Sequence, residues 1–85
     1  MDERLILAFL RYPSAPLVDF GMTLANLTWQ EQLALELCGR KHMTQERAAE
    51  QAGYSVDAVQ KWYRSGMKKL GVVWDGQAWI KKILD

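Results

Sequence analysis

Seven basic side chains fall between Arg40 and Lys69: Arg40, Lys41, Arg47, Lys61, Arg64, Lys68 and Lys69. Only three acids, Glu46, Glu50 and Asp57, share that stretch, which leaves it at +4. The rest of the chain sets four basic residues against seven acids, so the formal net charge of +1 conceals a polarised molecule. Two readings fit such a segment: a solvated helix surface, or a cationic face directed at phosphates. Much other chemistry is excluded by residues that are missing. Cys38 is the only cysteine and His42 the only histidine, which leaves no disulfide framework, cysteine-rich zinc site or multi-histidine centre. No nucleophile–base pair, paired-carboxylate motif or phosphate loop is visible, so the expectation is a non-enzyme with no cofactor, metal or small-molecule substrate. His42 reads as a loop residue and Cys38 as a small buried hydrophobe.

The elements that must position these side chains read as helices of a single domain. At 85 residues, 49% hydrophobic and 25% charged, the chain is long enough for one small core and too apolar for disorder. Its longest apolar run, Leu5 to Leu10, is too short to span a bilayer and follows Asp2 and Glu3, unlike a signal peptide. A soluble cytoplasmic protein with no membrane partner is expected. Residues 2–12 predict a first helix with Leu5, Ala8, Phe9 and Tyr12 inward, stopped by Pro13 and Pro16. Residues 17–26 fit a short helix or an irregular packing segment. Thr28-Trp29-Gln30-Glu31 fits a capping box, opening a helix to about Cys38 with Leu33, Ala34, Leu37 and Cys38 inward and Gly39 as its left-handed end. Thr44 caps a short helix to about Ala52, which Gly53 ends; Ser55 caps a longer one that Gly71 stops. On that longer helix Val59, Trp62 or Tyr63, Gly66 or Met67, and Leu70 face inward. In the tail, Asp75-Gly76 suits a hairpin turn, but Ala78, Trp79, Ile83 and Leu84 favour a last helix capped by Asp75. The sum is an all-α bundle of four to five helices: an N-terminal extension (1–26), a core (27–72) and a C-terminal helix or short hairpin (73–85).

The most informative unit is a short helix, the turn Ala52-Gly53-Tyr54-Ser55 and a longer helix, the signature of a helix-turn-helix. Around it stand Leu27-Thr28-x-x-Glu31, Ala49-Glu50-x-x-Gly53-x-Ser55, Val59 and Met67-Lys68-Lys69-Leu70-Gly71-Val72. These residues resemble the DNA-binding domain of LuxR-type regulators, and the same stretch is similar to region 4 of sigma factors. The resemblance covers residues 27–72. This chain departs from the family pattern at Ala48-Ala49, Ala52, Ala58, Trp62 and Gly66, which implies a shallow helix pair filled by Trp62 or Tyr54.

The resemblance implies a stand-alone transcriptional regulator that binds double-stranded DNA in a sequence-specific manner. Its alternative is a sigma-region-4-like or protein-interaction module that binds RNA polymerase or another protein, or a DNA-packaging or recombination accessory factor. Under the first reading the helix from Ser55 to Leu70 enters the major groove. Val56, Asp57, Ala58, Gln60, Lys61 and Arg64 then face base edges, and Lys41, Thr44, Gln45, Ser55, Lys68 and Lys69 face phosphates. Modules of this kind commonly act as symmetric dimers, and the expected homodimer surface is built from Trp74, Trp79, Ile80 and Ile83 with Leu5 and Phe9.

Overall fold

The computed structural model describes residues 1–85 and contains six helices and no strand. They are α1 (Glu3–Leu10), α2 (Ala15–Thr23), α3 (Trp29–Ala34, continued by a wider segment Leu35–Arg40), α4 (Gln45–Ala52), α5 (Val56–Asp75) and α6 (Ala78–Leu84). The architecture is the expected all-α bundle. The count is six because the segment after Pro13 is helical. Pro16 does not stop a helix but opens one: in the first turn of α2 its missing N–H would have had no partner anyway.

α5 organises the molecule. Its 20 residues span about 30 Å at 1.5 Å per residue, and two separate cores form along it. The far half of α5 packs with α1, α2, α6 and Leu35 around Phe9, Leu10, Val18, Leu70, Trp74 and Ile80. The near half packs with α3 and α4 around Ala34, Leu37, Cys38, Ala48, Ala49 and Val59. Tyr63 touches both clusters.

Tertiary packing overrides several local expectations. Gly71 does not end α5, which runs on to Asp75. A glycine inside a helix costs about 1 kcal/mol relative to alanine, and that is outweighed by carrying Trp74 into the core. The Trp74 indole is fully buried, meets Phe9 edge-on at 4.9 Å and donates its Nε1–H to the Gly21 carbonyl at 2.8 Å. Gly39 is not a left-handed terminus either. The helix begun by α3 widens before it: the Lys41 amide donates to the Glu36 carbonyl five residues back, at 3.0 Å. Gly39 lies where a β-carbon would meet Leu10 Cδ1 at 2.9 Å, and the positive φ falls on His42 (φ 59) in the following loop.

α1 buries Ile6, Phe9 and Leu10 and exposes Leu5 and Ala8, a face rotated from the expected one. It is embraced by α5, α6 and the Leu35–Arg40 segment, so a run that is apolar nearly all round leaves its inner face open in sequence. Asp75 closes α5 rather than capping α6, which is preceded by Gln77 without a side-chain cap. The tail is the helix, not the hairpin. Phe9, Trp74 and Ile80 are fully buried, so they form core and not the expected dimer surface; Trp79 and Ile83 are half-buried. No helix is long and apolar enough to cross a membrane.

Candidate nucleic-acid interface

Local hydrogen bonds build the α4–α5 unit much as its sequence requires. The Thr44 hydroxyl accepts from the Arg47 amide at 3.1 Å, and Ser55 Oγ accepts from the Ala58 amide at 3.1 Å. Both helices therefore start on side-chain caps. Between them the chain reverses at Gly53, whose φ of +78° is the left-handed conformation that favours glycine. The Gly53 and Tyr54 amides both donate to the Ala49 carbonyl, at 2.9 and 3.0 Å. Ala48, Ala49 and Val59 are buried where α4 crosses α5, and their small size lets the two helices approach.

The outward face of α5 is a shallow groove lined by Asp57, Gln60, Lys61, Arg64, Ser65 and Lys68, with no apolar residue among them. Asp57, Gln60, Lys61, Arg64 and Lys68 are all exposed. Val56 is exposed at the start of the helix and Ala58 is half-buried. Of the residues assigned to phosphates, Lys41, Thr44 and Ser55 are exposed and Gln45 is half-buried. Lys68 lies in the groove itself.

Lys69 is placed differently. Its ammonium ion-pairs at 2.7 Å with Glu31 Oε1, on a carboxylate that is nearly inaccessible to solvent. Glu31 Oε2 accepts from Ser65 Oγ, and Oε1 also accepts from the Thr28 amide at 2.9 Å, closing the capping box. Burial pushes the Glu31 carboxyl up. The Lys69, Ser65 and Thr28 donors together outweigh burial and bring its pKa from 4.5 down to about 2. Lys69 is thus a strut between α3 and α5 rather than a free phosphate ligand. Arg40 is similarly engaged, at 2.7 Å from Asp19 and 2.8 Å from Glu36. Lys41, Arg47, Lys61, Arg64 and Lys68 carry no ion pair, so the free cations of the basic stretch are five against three acids, and three of the five lie in the α5 groove.

Two features escape a reading of the chain in order. Glu31 reads as a cap alone, although Ser65 and Lys69, four residues apart on one face of α5, were the available signal for a carboxylate opposite. Trp29, Tyr54 and Trp62 form a surface aromatic cluster, with ring centroids 5.0 to 6.3 Å apart. Trp62 covers the small α3–α4–α5 core, as the shallow helix pair requires, and Tyr54 packs on Trp62 edge-on. Trp29 is left 61% exposed. Cys38 is buried and its thiol is pushed up, first by burial and then by Glu46, which suits a small apolar filler. No three His, Cys, Asp or Glu side chains converge to hold a metal ion. No family model, curated protein or solved structure matches this chain, so the groove is interpreted from its own residues.

Proposed function

We propose that the chain binds double-stranded DNA as a helix-turn-helix regulator of transcription, with the outward face of α5 in the major groove. One observation supports this above the rest: Gln60, Lys61, Arg64 and Lys68 form an exposed polar groove, net positive and free of apolar side chains, on a helix held at a capped glycine turn. In this reading Lys61 and Arg64 donate to guanine O6 and N7, and Gln60 pairs with adenine. Lys68, Lys41 and Thr44 position the domain on phosphates without reading sequence. Asp57 accepts from a cytosine amino group.

The test is selection of bound duplexes from a random pool, followed by a salt titration on the enriched sequence. A defined motif is expected, with affinity falling steeply as salt rises. Lys61→Ala and Arg64→Ala each weaken binding to that motif by about 1–3 kcal/mol and relax the sequence preference at the position they read. No duplex retained at low salt from a broad pool would overturn the proposal. A second reading, docking onto RNA polymerase, is favoured by the exposed Trp29 and Tyr54 rings, which pack on the half-buried Trp62 of α5. It predicts capture of purified polymerase by the wild type, weakened by Trp29→Ala, with no intrinsic affinity for duplex.

A further inference from the structure

Trp29, Tyr54 and Trp62 stand along one lip of the α5 groove. The groove row on α5 is Asp57, Lys61, Arg64 and Lys68. The row beside it, following the same helical steps, is Ala58, Trp62, Ser65 and Lys69. α3 lies along that second row. Glu31 bonds Ser65 and Lys69, and Trp29, two residues earlier, sets its ring 6.3 Å from that of Trp62. Tyr54, just before the Ser55 cap, closes the cluster at the start of α5.

The three rings have different duties. Trp62 is half-buried over the small core, and Tyr54 packs edge-on against it at 5.0 Å. Trp29 covers nothing in this way. It is 61% exposed and inclined at 50° to both neighbours, so no ring lies flat against its face. An exposed aromatic beside packed ones presents a π surface to a partner. The charge of the adjoining groove states what kind of partner. Lys61, Arg64 and Lys68 carry no ion pair and face a single acid there, Asp57. Glu31, the nearest acid of α3, is neutralised by Lys69. The partner must therefore be anionic along its length and carry flat rings at its side, and nucleic acid with unpaired bases has both properties.

We infer that the lip and the groove together bind single-stranded nucleic acid, with an unpaired base stacked on Trp29 and the adjoining phosphates on Lys61, Arg64 and Lys68. Lys61 to Lys68 spans seven residues, about 10 Å of helix and the length of about three stacked nucleotides. Asp57 lies in the opening turn, so the phosphates run from Lys61 away from it, towards Lys68. The phosphate half of this site rests on the nucleic-acid reading of the α5 groove. The stacking half goes beyond that reading, because a base inside an intact duplex cannot lie on an aromatic face. Stacking on a lone ring is tolerant of sequence, so this mode carries little base preference.

Fluorescence anisotropy of the full chain at low salt tests this. The probes are oligothymidylate and oligouridylate of about 15 nucleotides, an abasic strand of equal length, and a blunt duplex. The two base-bearing strands are expected to bind more tightly than the abasic strand, which keeps the charge and lacks the rings. Trp29→Ala weakens both by about fivefold or more, the weight of one stacked base, and Trp29→Phe restores most of the loss. The abasic strand and the duplex do not respond to Trp29→Ala. Helical circular dichroism and thermal midpoint stay unchanged in both variants, since the side chain replaced is exposed. Lys61→Ala and Arg64→Ala weaken every probe and lower the salt slope. Failure to retain either base-bearing strand, equal affinity for the abasic strand, or indifference to Trp29→Ala overturns the inference. Duplex binding is scored separately: duplex bound without single strands defeats only this inference, and single strands bound without any duplex defeat only the double-stranded reading.

Discussion

The two cores strung along α5 are made of different material. The cluster at its far end is bulky: Phe9, Leu10, Leu35, Leu70, Trp74 and Ile80 are fully buried there, with aromatic rings interlocked edge to face. The cluster under α4 consists of Ala34, Ala48, Ala49, Cys38, Val59 and Leu37, with Trp62 and Tyr63 laid over it. Stabilisation follows the apolar area removed from water, at about 25 cal/mol per Å², so most of it resides at the far end. The small residues give the groove end something else, a close crossing of α4 and α5 held by caps and a glycine turn. One half of the molecule supplies cohesion and the other supplies geometry. Changes in the first should then be read mainly in stability, and changes in the second mainly in binding.

The largest effect is expected at Trp74. Trp74→Ala removes the largest fully buried side chain and leaves a cavity lined by Phe9 and Gly21. The expected destabilisation is about 3–5 kcal/mol, a large fraction of the stability of a domain this size. Val59→Ala at the groove end should cost less, and urea titration of both variants measures the contrast. A greater loss at Val59 than at Trp74 would break the division between the two halves.

Next comes Glu31, whose network ties α3 to the middle of α5 through Ser65 and Lys69. Glu31→Gln removes the ion-pair partner of Lys69 and should cost about 1–3 kcal/mol at neutral pH. The pH dependence follows from a carboxyl lowered from 4.5 to about 2. A depressed carboxyl contributes its full stabilisation above the unfolded value of 4.5 and loses it as pH falls towards 2. Wild type and Glu31→Gln should therefore differ most above pH 4.5 and converge near pH 2. A constant gap between their denaturation midpoints across that window would mean that the charge of Glu31 contributes nothing.

The same division explains what was legible in the chain. Groove-end signals act within one turn: Thr28 with Glu31, Thr44 with Arg47, Ser55 with Ala58, and Gly53 between the helices all form as their residue types dictate. From the Ser55 cap, helical periodicity alone turns Gln60, Lys61 and Arg64 outward, as observed. Pro16 is a local matter of helix position, but Lys69, Gly71 and the face of α1 depend on distant partners. Lys69 reads as a free cation until Glu31, 38 residues earlier, is brought beside it. Gly71 reads as a stop until Trp74 is required to meet Phe9 and Gly21. The face of α1 cannot be chosen while three neighbours surround it. Ala58, outward in periodicity, is half-buried in the folded chain.

The smallest effect isolates geometry from packing. At Gly53 a β-carbon would find nothing within 4 Å, so Gly53→Ala creates no clash and opens no cavity. Its whole effect is backbone: holding alanine at φ +78° costs about 1–2 kcal/mol. The lower conformational entropy of the unfolded alanine chain offsets about 0.4–1 kcal/mol of that. A net loss of about 1 kcal/mol is expected, with Gly53→Asn smaller because asparagine tolerates the left-handed region. The Thr44 and Ser55 caps and the bulky core are untouched, so helical content should not change. If the groove end contributes geometry, the strain relaxes by shifting α4 against α5, and duplex affinity falls by more than the loss of stability alone explains. Equal affinity in wild type and Gly53→Ala, measured where both are fully folded, would show that the turn sets fold but not binding geometry, and the contrast between the two ends would then rest on packing alone.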